Sequence, residues 1–78
     1  MKILFLGRLA DAVGEPQRNL DVPGDIVDVE ALRGWLGDEI PALLDQSVRI
    51  IVNSVLAQRG QRIAADDEIA FFPPVSGR

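Results

Sequence analysis

The feature that most constrains the fold is one amphipathic helix that lies between short strand-like runs. Its apolar stripe consists of Val29, Leu32, Leu36 and Ile40, at the spacing of a single helical face. Asp28 precedes the stripe and belongs to a residue type favoured at helix N-termini. Because one helix can cover only one face of a sheet, we expect a mixed sheet packed across this helix.

The remaining apolar runs predict strands and one shorter helix. Residues 3–6 suit a strand buried on both sides, Gly7 ends it, and the following residues through Val13 form a short helix. Further strands are expected over 19–22, 48–52, 55–56 and 69–72, with a turn at Asn53-Ser54 and a helical turn after Pro41. This order of elements predicts one α+β domain.

Composition excludes several classes of function. The 78 residues contain no cysteine and no histidine, which removes thiolate metal sites and the commonest general base. The formal net charge of −4 lacks the basic footprint of a nucleic-acid-binding protein and favours a partner with a basic face. No run is long enough to span a membrane, and we expect a cytoplasmic protein.

Charged clusters offer little catalytic chemistry. Asp66, Asp67 and Glu68 are adjacent, and we interpret them as a solvated turn between strands and not as a metal site. The arginines are spread along the chain as surface charges. Arg8 and Arg59 differ from the others because each falls near a strand end that can border an apolar patch.

Three large apolar residues are expected on the sheet face that the helix leaves open. If Phe71 fills the core, Phe72 projects from the opposite face, and Leu6 and Leu56 can project the same way. Such a patch requires either a partner or a covering segment of the same chain. We favour a partner, because one long helix covers only one face.

The last residues predict an extended carrier tail over 73–78, attached to a domain formed by residues 1–72. Pro73 and Pro74 remove two backbone donors and favour an extended conformation. Small residues follow, ending in Gly77, whose missing Cβ would let an active site approach the backbone. The alternative is an ordinary frayed terminus, although its apolar composition argues against that interpretation.

Three segments resemble the family of molybdopterin synthase small subunits, which are ubiquitin-like sulfur carriers. The segments are "DEIAFFPPVSG", "MKILFLGRLADAVG" and "DVEALRGWL". The resemblance covers essentially the whole chain. It implies a β-grasp fold and partner contacts at Leu6, Leu56 and Phe72, with Pro73, Pro74, Val75, Ser76 and Gly77 forming the tail.

The resemblance also implies a mechanism without catalytic residues, bound metal or bound cofactor. An E1-like adenylating enzyme uses ATP to convert the terminal glycine carboxylate into an acyl adenylate, and sulfur then replaces the adenylate to give a thiocarboxylate. The tail next enters the large subunit of molybdopterin synthase and delivers sulfur to a cyclic pterin precursor, in an assembly with two copies of each subunit.

Arg78 departs from this pattern, because the family ends in two glycines. Arg78 is either removed before activation, or an engineered change, or a mark of a paralogue that does not carry sulfur. The alternative function is therefore a β-grasp interaction module that docks the large subunit or another partner through its apolar patch alone. The related carrier of thiamine synthesis is disfavoured by the Phe-Phe-Pro-Pro run.

Overall fold

A computed structural model describes residues 1–45 and 47–73 of the chain. The elements in this part are β1 (Lys2–Phe5), α1 (Arg8–Val13), β2 (Gln17–Asn19), α2 (Val29–Gly37), a 3₁₀ helix (Pro41–Leu44), β3 (Arg49–Val52), β4 (Val55–Leu56) and β5 (Glu68–Phe72). The order predicted from the sequence is confirmed.

The strands of these residues form one five-stranded sheet in the order β2-β1-β5-β3-β4. The strands nearest the two chain ends, β1 and β5, lie side by side and parallel, and the other neighbouring pairs are antiparallel. Parallel neighbours need a long crossover, which the segment containing α2 supplies. The expected mixed sheet is confirmed.

The core lies between the sheet and α2. Alternate residues of β1 and β5 point inward, so Ile3 and Phe5 are buried next to Ile69 and Phe71. The Phe5 and Phe71 rings are stacked, with centroids 6.2 Å apart and an interplanar angle of 15°. The remaining residues of this core cluster are Leu9, Val29, Leu32, Leu36, Ile40, Leu43, Val48, Ile50 and Val52.

Helix α2 begins where the sequence predicts. The Ala31 backbone N–H donates to Asp28 Oδ1 at 2.8 Å, which is the expected N-cap hydrogen bond. The helix ends at Gly37, so the prediction of one continuous helical stripe through Ile40 is wrong. Pro41 disfavours helical geometry in the residue before it, and Ile40 has φ −126° and ψ 81°. Ile40 is nevertheless buried, and the 3₁₀ helix forms the predicted further turn.

Strand β2 lies earlier than predicted. It covers Gln17–Asn19 and pairs with β1, so that Lys2 faces Asn19. The Met1 amino group and the Leu20 carbonyl lie 2.8 Å apart, and the Leu20 N–H donates to the Met1 carbonyl at 2.9 Å. In the described residues the β1–β2 pairing reaches no further than these two contacts, so the alternation beyond Leu20 does not extend the strand.

The β3–β4 hairpin turns at Asn53 and Ser54, as predicted. Both residues have positive φ, 49° and 71° respectively. Positive φ at both central positions is the geometry of a tight hairpin whose twist matches the flanking strands. The Asn53 side chain also accepts from the Glu68 N–H at 3.0 Å, which fixes the hairpin to the start of β5.

Candidate functional site

The sheet face opposite α2 carries a set of apolar side chains, called here the outer patch. Its members are Leu4, Leu6, Ile51, Leu56, Ala70 and Phe72. Leu4 lies beside Ala70, Ala70 faces Ile51, and Ile51 faces Leu56, so one apolar row crosses four strands. Leu6 lies two positions after Leu4, and Phe72 lies two positions after Ala70. Because side chains in a strand alternate between the two faces, Leu6 and Phe72 point to the same face as this row.

The outer patch unites Leu6, Leu56 and Phe72, the three residues that the sequence singles out. Leu56 and Phe72 remain 55% and 39% exposed, whereas their neighbour Phe71 has no exposed surface. Sequence reasoning did not name Leu4 or Ile51 as patch residues. The signal was present, because Ile51 lies between two core residues and must point to the other face. The role of the patch in binding stays a prediction.

Pro73 lies at the root of the predicted tail. It follows β5 and packs against Gly7, where an added Cβ would stand 3.1 Å from Pro73 Cγ. Gly7 has φ +54°, a backbone conformation that favours glycine. The predicted tail residues Pro74, Val75, Ser76, Gly77 and Arg78 lie outside the described residues.

A groove of about 1150 Å³ runs from the outer patch around the β4 side of the molecule to α2. Leu56 and Phe72 belong both to the outer patch and to the wall of this groove. The charged residues that line it are Glu30, Arg33, Arg49 and Arg59. The groove is therefore locally cationic, although the whole chain carries a formal charge of −4.

The three groove arginines are held or presented in different ways. Arg33 donates to the Asp45 carbonyl at 2.9 Å and to the Val48 carbonyl at 2.7 Å. Arg49 is exposed and lies opposite Phe72 in the β3–β5 register. Arg59 lies in an exposed turn before Gly60. None of the three forms an ion pair with a carboxylate of residues 1–45 or 47–73.

The turn that carries Arg59 is fixed to α2. The Gly60 N–H donates to Glu30 Oε1 at 2.7 Å, and Gly60 has φ +77°. Glu30 therefore uses one carboxylate oxygen to hold the turn in place. Arg59, which the sequence places near a strand end, lines the groove together with Leu56. No local pattern in the sequence links Arg33 and Arg49 to Arg59. Only the tertiary fold gathers these three residues.

A second depression lies on the other side of Pro73 and is lined by Arg8, Leu9, Ala12, Pro41, Ala42, Asp45, Val48 and Pro73. Arg8 is thus close to the tail root, near the strand end where the sequence placed it. Asp45 accepts from the Ser47 hydroxyl at 2.6 Å and from the Ser47 N–H at 2.9 Å. These bonds, helped by the charge of Arg33, lower the pKa of the Asp45 carboxyl.

Asp66 and Asp67 lie in the turn before β5, as predicted, whereas Glu68 is the first residue of that strand. Asp67 Oδ2 accepts from the Ala64 N–H at 2.8 Å, and Asp67 Oδ1 accepts from the Asn53 side chain at 3.1 Å. Within the described ranges, no group of three carboxylates is arranged to hold a metal ion. The same residues contain no helix that is long and apolar enough to cross a membrane.

The chain is similar in sequence to known proteins over most of its length. The chain matches the ThiS family over residues 3–77. It is 33% identical to the molybdopterin synthase sulfur carrier subunit of Escherichia coli, over 99% of this chain and 98% of that protein. It is 35% identical to small archaeal modifier protein 1 of Haloferax volcanii, over 88% of this chain and 90% of that protein.

A solved structure agrees with these relatives. The crystal structure of the same Haloferax volcanii modifier superposes with a TM-score of 0.78 at 30% identity, covering 100% of this chain and 98% of that one. The fold and its relatives thus define a ubiquitin-like β-grasp protein of the sulfur-carrier class. The chain belongs to the ThiS family.

Proposed function

We propose that this chain is the sulfur-carrier small subunit of a molybdopterin synthase, with the carboxylate of Gly77 as its reacting group. The identity to the Escherichia coli carrier subunit supports this assignment. The observation that carries it is the position of the partly exposed outer patch at the root of the tail. Phe72 belongs to the patch, and the next residue, Pro73, begins the tail.

The proposed chemistry takes place at the main-chain terminus. Hydrolysis of the Gly77–Arg78 peptide bond first exposes the Gly77 carboxylate. A carboxylate oxygen of Gly77 then attacks the α-phosphorus of ATP on a cytoplasmic E1-like adenylating enzyme, and pyrophosphate leaves. Sulfur from a donor then displaces AMP to give the thiocarboxylate. Because the partner enzymes supply the catalytic groups, the absence of histidine and cysteine from the sequence is consistent with the proposal.

The outer patch would dock the partners of this reaction. Buried aromatic anchors contribute most to many interfaces, and Phe72 is the aromatic residue of the patch. Docking at Phe72 fixes Pro73, so the tail starts from a defined position on the partner's surface. The large synthase subunit and the adenylating enzyme can then each receive the tail in a narrow channel.

Intact mass spectrometry tests the proposal. The chain is incubated with ATP, a sulfur donor and the adenylating enzyme of the same organism, in three forms: with Arg78, without Arg78, and with Arg78→Gly. We expect the form ending at Gly77 to gain the mass difference between sulfur and oxygen. Absence of this gain in all three forms would contradict sulfur carriage and would favour the β-grasp interaction module.

A second candidate function is protein modification. It is favoured by the relative named small archaeal modifier protein 1, with 35% sequence identity and a closely superposable structure. In this case an amine of a target protein attacks the same acyl adenylate, AMP leaves, and an amide bond forms. The chain would then be recovered covalently attached to other proteins, whereas a carrier dedicated to molybdopterin synthesis would be recovered unattached.

A further inference from the structure

The groove beside the outer patch is positioned to form part of the same interface. Leu56 and Phe72 belong to both surfaces, so a partner that covers the patch also borders the groove. The groove then continues past Arg49 to α2. A partner surface that fits it must be complementary to three guanidinium groups and an apolar wall.

The charge of the groove is opposite to that of the whole chain. Net charge alone favours a partner with a basic face. At the groove, however, Arg33, Arg49 and Arg59 outnumber the single carboxylate of Glu30. Exposed charges act over about 8–10 Å at ordinary ionic strength, so the local arrangement decides which groups pair across a contact.

The groove arginines are available to an incoming acid. Arg49 and Arg59 are exposed, and neither is paired with a carboxylate in the described part of the chain. Arg33 is anchored by two backbone carbonyls, and its charge is partly offset by the Asp45 carboxylate, whose pKa it helps to lower. A guanidinium that is already positioned loses less conformational entropy when it binds a carboxylate.

The apolar wall strengthens this preference. Leu44, Leu56 and Phe72 line the groove together with the arginines. A segment that seats apolar side chains on this wall removes water from the adjoining charge pairs, and charge-assisted hydrogen bonds are stronger where water is excluded. The best-fitting occupant therefore alternates carboxylate and apolar side chains.

From these observations we propose that the groove binds an acidic, partly apolar segment of the protein that docks on the outer patch. Arg49 and Arg59 pair with carboxylates of that segment, while Leu56 and Phe72 contact its apolar side chains. The identity of the partner rests on the proposed function, in which the adenylating enzyme docks here. The preference of the groove for carboxylates does not depend on sulfur transfer.

The first test uses the full-length chain labelled with ¹⁵N and does not involve the carrier reaction. A short synthetic peptide of alternating glutamate and leucine is titrated while the arginine side-chain N–H resonances are recorded by NMR. We expect saturable shifts at Arg49 and Arg59. A matched peptide of lysine and leucine should leave them unchanged.

Charge reversal identifies the site. The double variant Arg49→Glu/Arg59→Glu should weaken binding of the acidic peptide by about tenfold or more. Arg62→Glu is the control, because Arg62 is exposed but does not line the groove. The milder pair Arg49→Gln/Arg59→Gln should give an intermediate loss and guards against misfolding of the reversed variant.

Several results would overturn the proposal. The groove would be ordinary surface charge if Arg62 shifted as much as Arg49 and Arg59, or if Arg49 and Arg59 showed no saturable shift. The same conclusion would follow if Arg62→Glu lost as much affinity for the acidic peptide as the double variant. Shifts of the same size with inorganic phosphate at matched ionic strength would assign the groove to a phosphate and not to a carboxylate segment.

The second test uses the adenylating enzyme of the same organism and isothermal titration. The double charge reversal should weaken that complex by about tenfold or more, and Arg62→Glu should not. If the enzyme binds both variants as tightly as the unmodified chain, this partner's acidic segment does not occupy the groove. If the enzyme fails to bind even the unmodified chain, the proposed function fails, while the peptide titration still tests the groove.

Discussion

Gly7 and Pro73 are packed against each other at the root of the tail. An added Cβ on Gly7 would stand 3.1 Å from Pro73 Cγ, closer than ordinary van der Waals contact. Gly7 directly follows Leu6 of the outer patch, and Pro73 directly follows Phe72. The root of the tail at Pro73 is therefore tied to the outer patch through this contact.

Replacement of Gly7 by alanine should disturb the tail root. Its positive φ costs about 1–2 kcal/mol for an L-residue, and the new methyl group also pushes against Pro73. Gly14→Ala is the matched control, because Gly14 has φ +96° but no atom within 4 Å of an added Cβ. Both variants should lose stability in urea unfolding, but only Gly7→Ala should also slow formation of the thiocarboxylate. Equal rates in the two variants would contradict the coupling.

Phe72→Ala should weaken partner binding by about 1–3 kcal/mol, as expected for an aromatic anchor in an interface. Isothermal titration against the large synthase subunit measures this loss. Val27→Ala provides the control, because Val27 and Phe72 are both 39% exposed but Val27 is not part of the outer patch. Unchanged affinity for Phe72→Ala, or the same loss for both variants, would remove the patch from the interface.

The two glycines of α2 should respond in opposite directions to alanine. An added Cβ at Gly37 would clash with the Leu44 side chain, so Gly37→Ala should lower the free energy of unfolding by about 1–3 kcal/mol. At Gly34 no neighbouring atom lies within 4 Å of an added Cβ, so Gly34→Ala should raise the free energy of unfolding by about 1 kcal/mol. Denaturant titration of both variants measures the difference, and a shared sign would contradict the packing described here.

The two turn residues of the β3–β4 hairpin form a further test. Ser54 has φ 71°, and Ser54→Gly should raise the free energy of unfolding by about 0.5 kcal/mol by relieving this strain. Asn53→Gly should instead lower it by about 1 kcal/mol, because the Asn53 side chain bonds to Asp67 and to the Glu68 N–H. Thermal unfolding of both variants checks the signs. Destabilisation by Ser54→Gly would mean that the turn tolerates serine without strain.

The sequence predicts the elements of this fold better than it predicts their ends. Periodicity identified α2 and its Asp28 N-cap because both signals are local. The position of β2 depends instead on its pairing with β1, a tertiary effect that no local pattern contains. The end of α2 had a local signal, because Pro41 disfavours helical geometry in Ile40, but the apolar stripe continues past that end.

The same distinction applies to the candidate site. Alternation along single strands placed Leu6, Leu56 and Phe72 on one face, because side chains in strands alternate strictly. The groove was not predicted, because Arg33, Arg49 and Arg59 come from a helix, a strand and a turn that are distant in sequence. Their proximity follows only from the packing of α2 across the sheet.

The most direct test of the account replaces the terminal carboxylate itself. A semisynthetic chain that ends at Gly77 as a carboxylate is compared with the same chain ending as a C-terminal amide. Isotope exchange between ATP and pyrophosphate is measured with the adenylating enzyme. We predict that both forms bind the enzyme equally well and that only the carboxylate supports exchange, because the amide has no oxygen able to attack ATP. Equal exchange with the amide form would show that the reacting group lies elsewhere and would contradict the account.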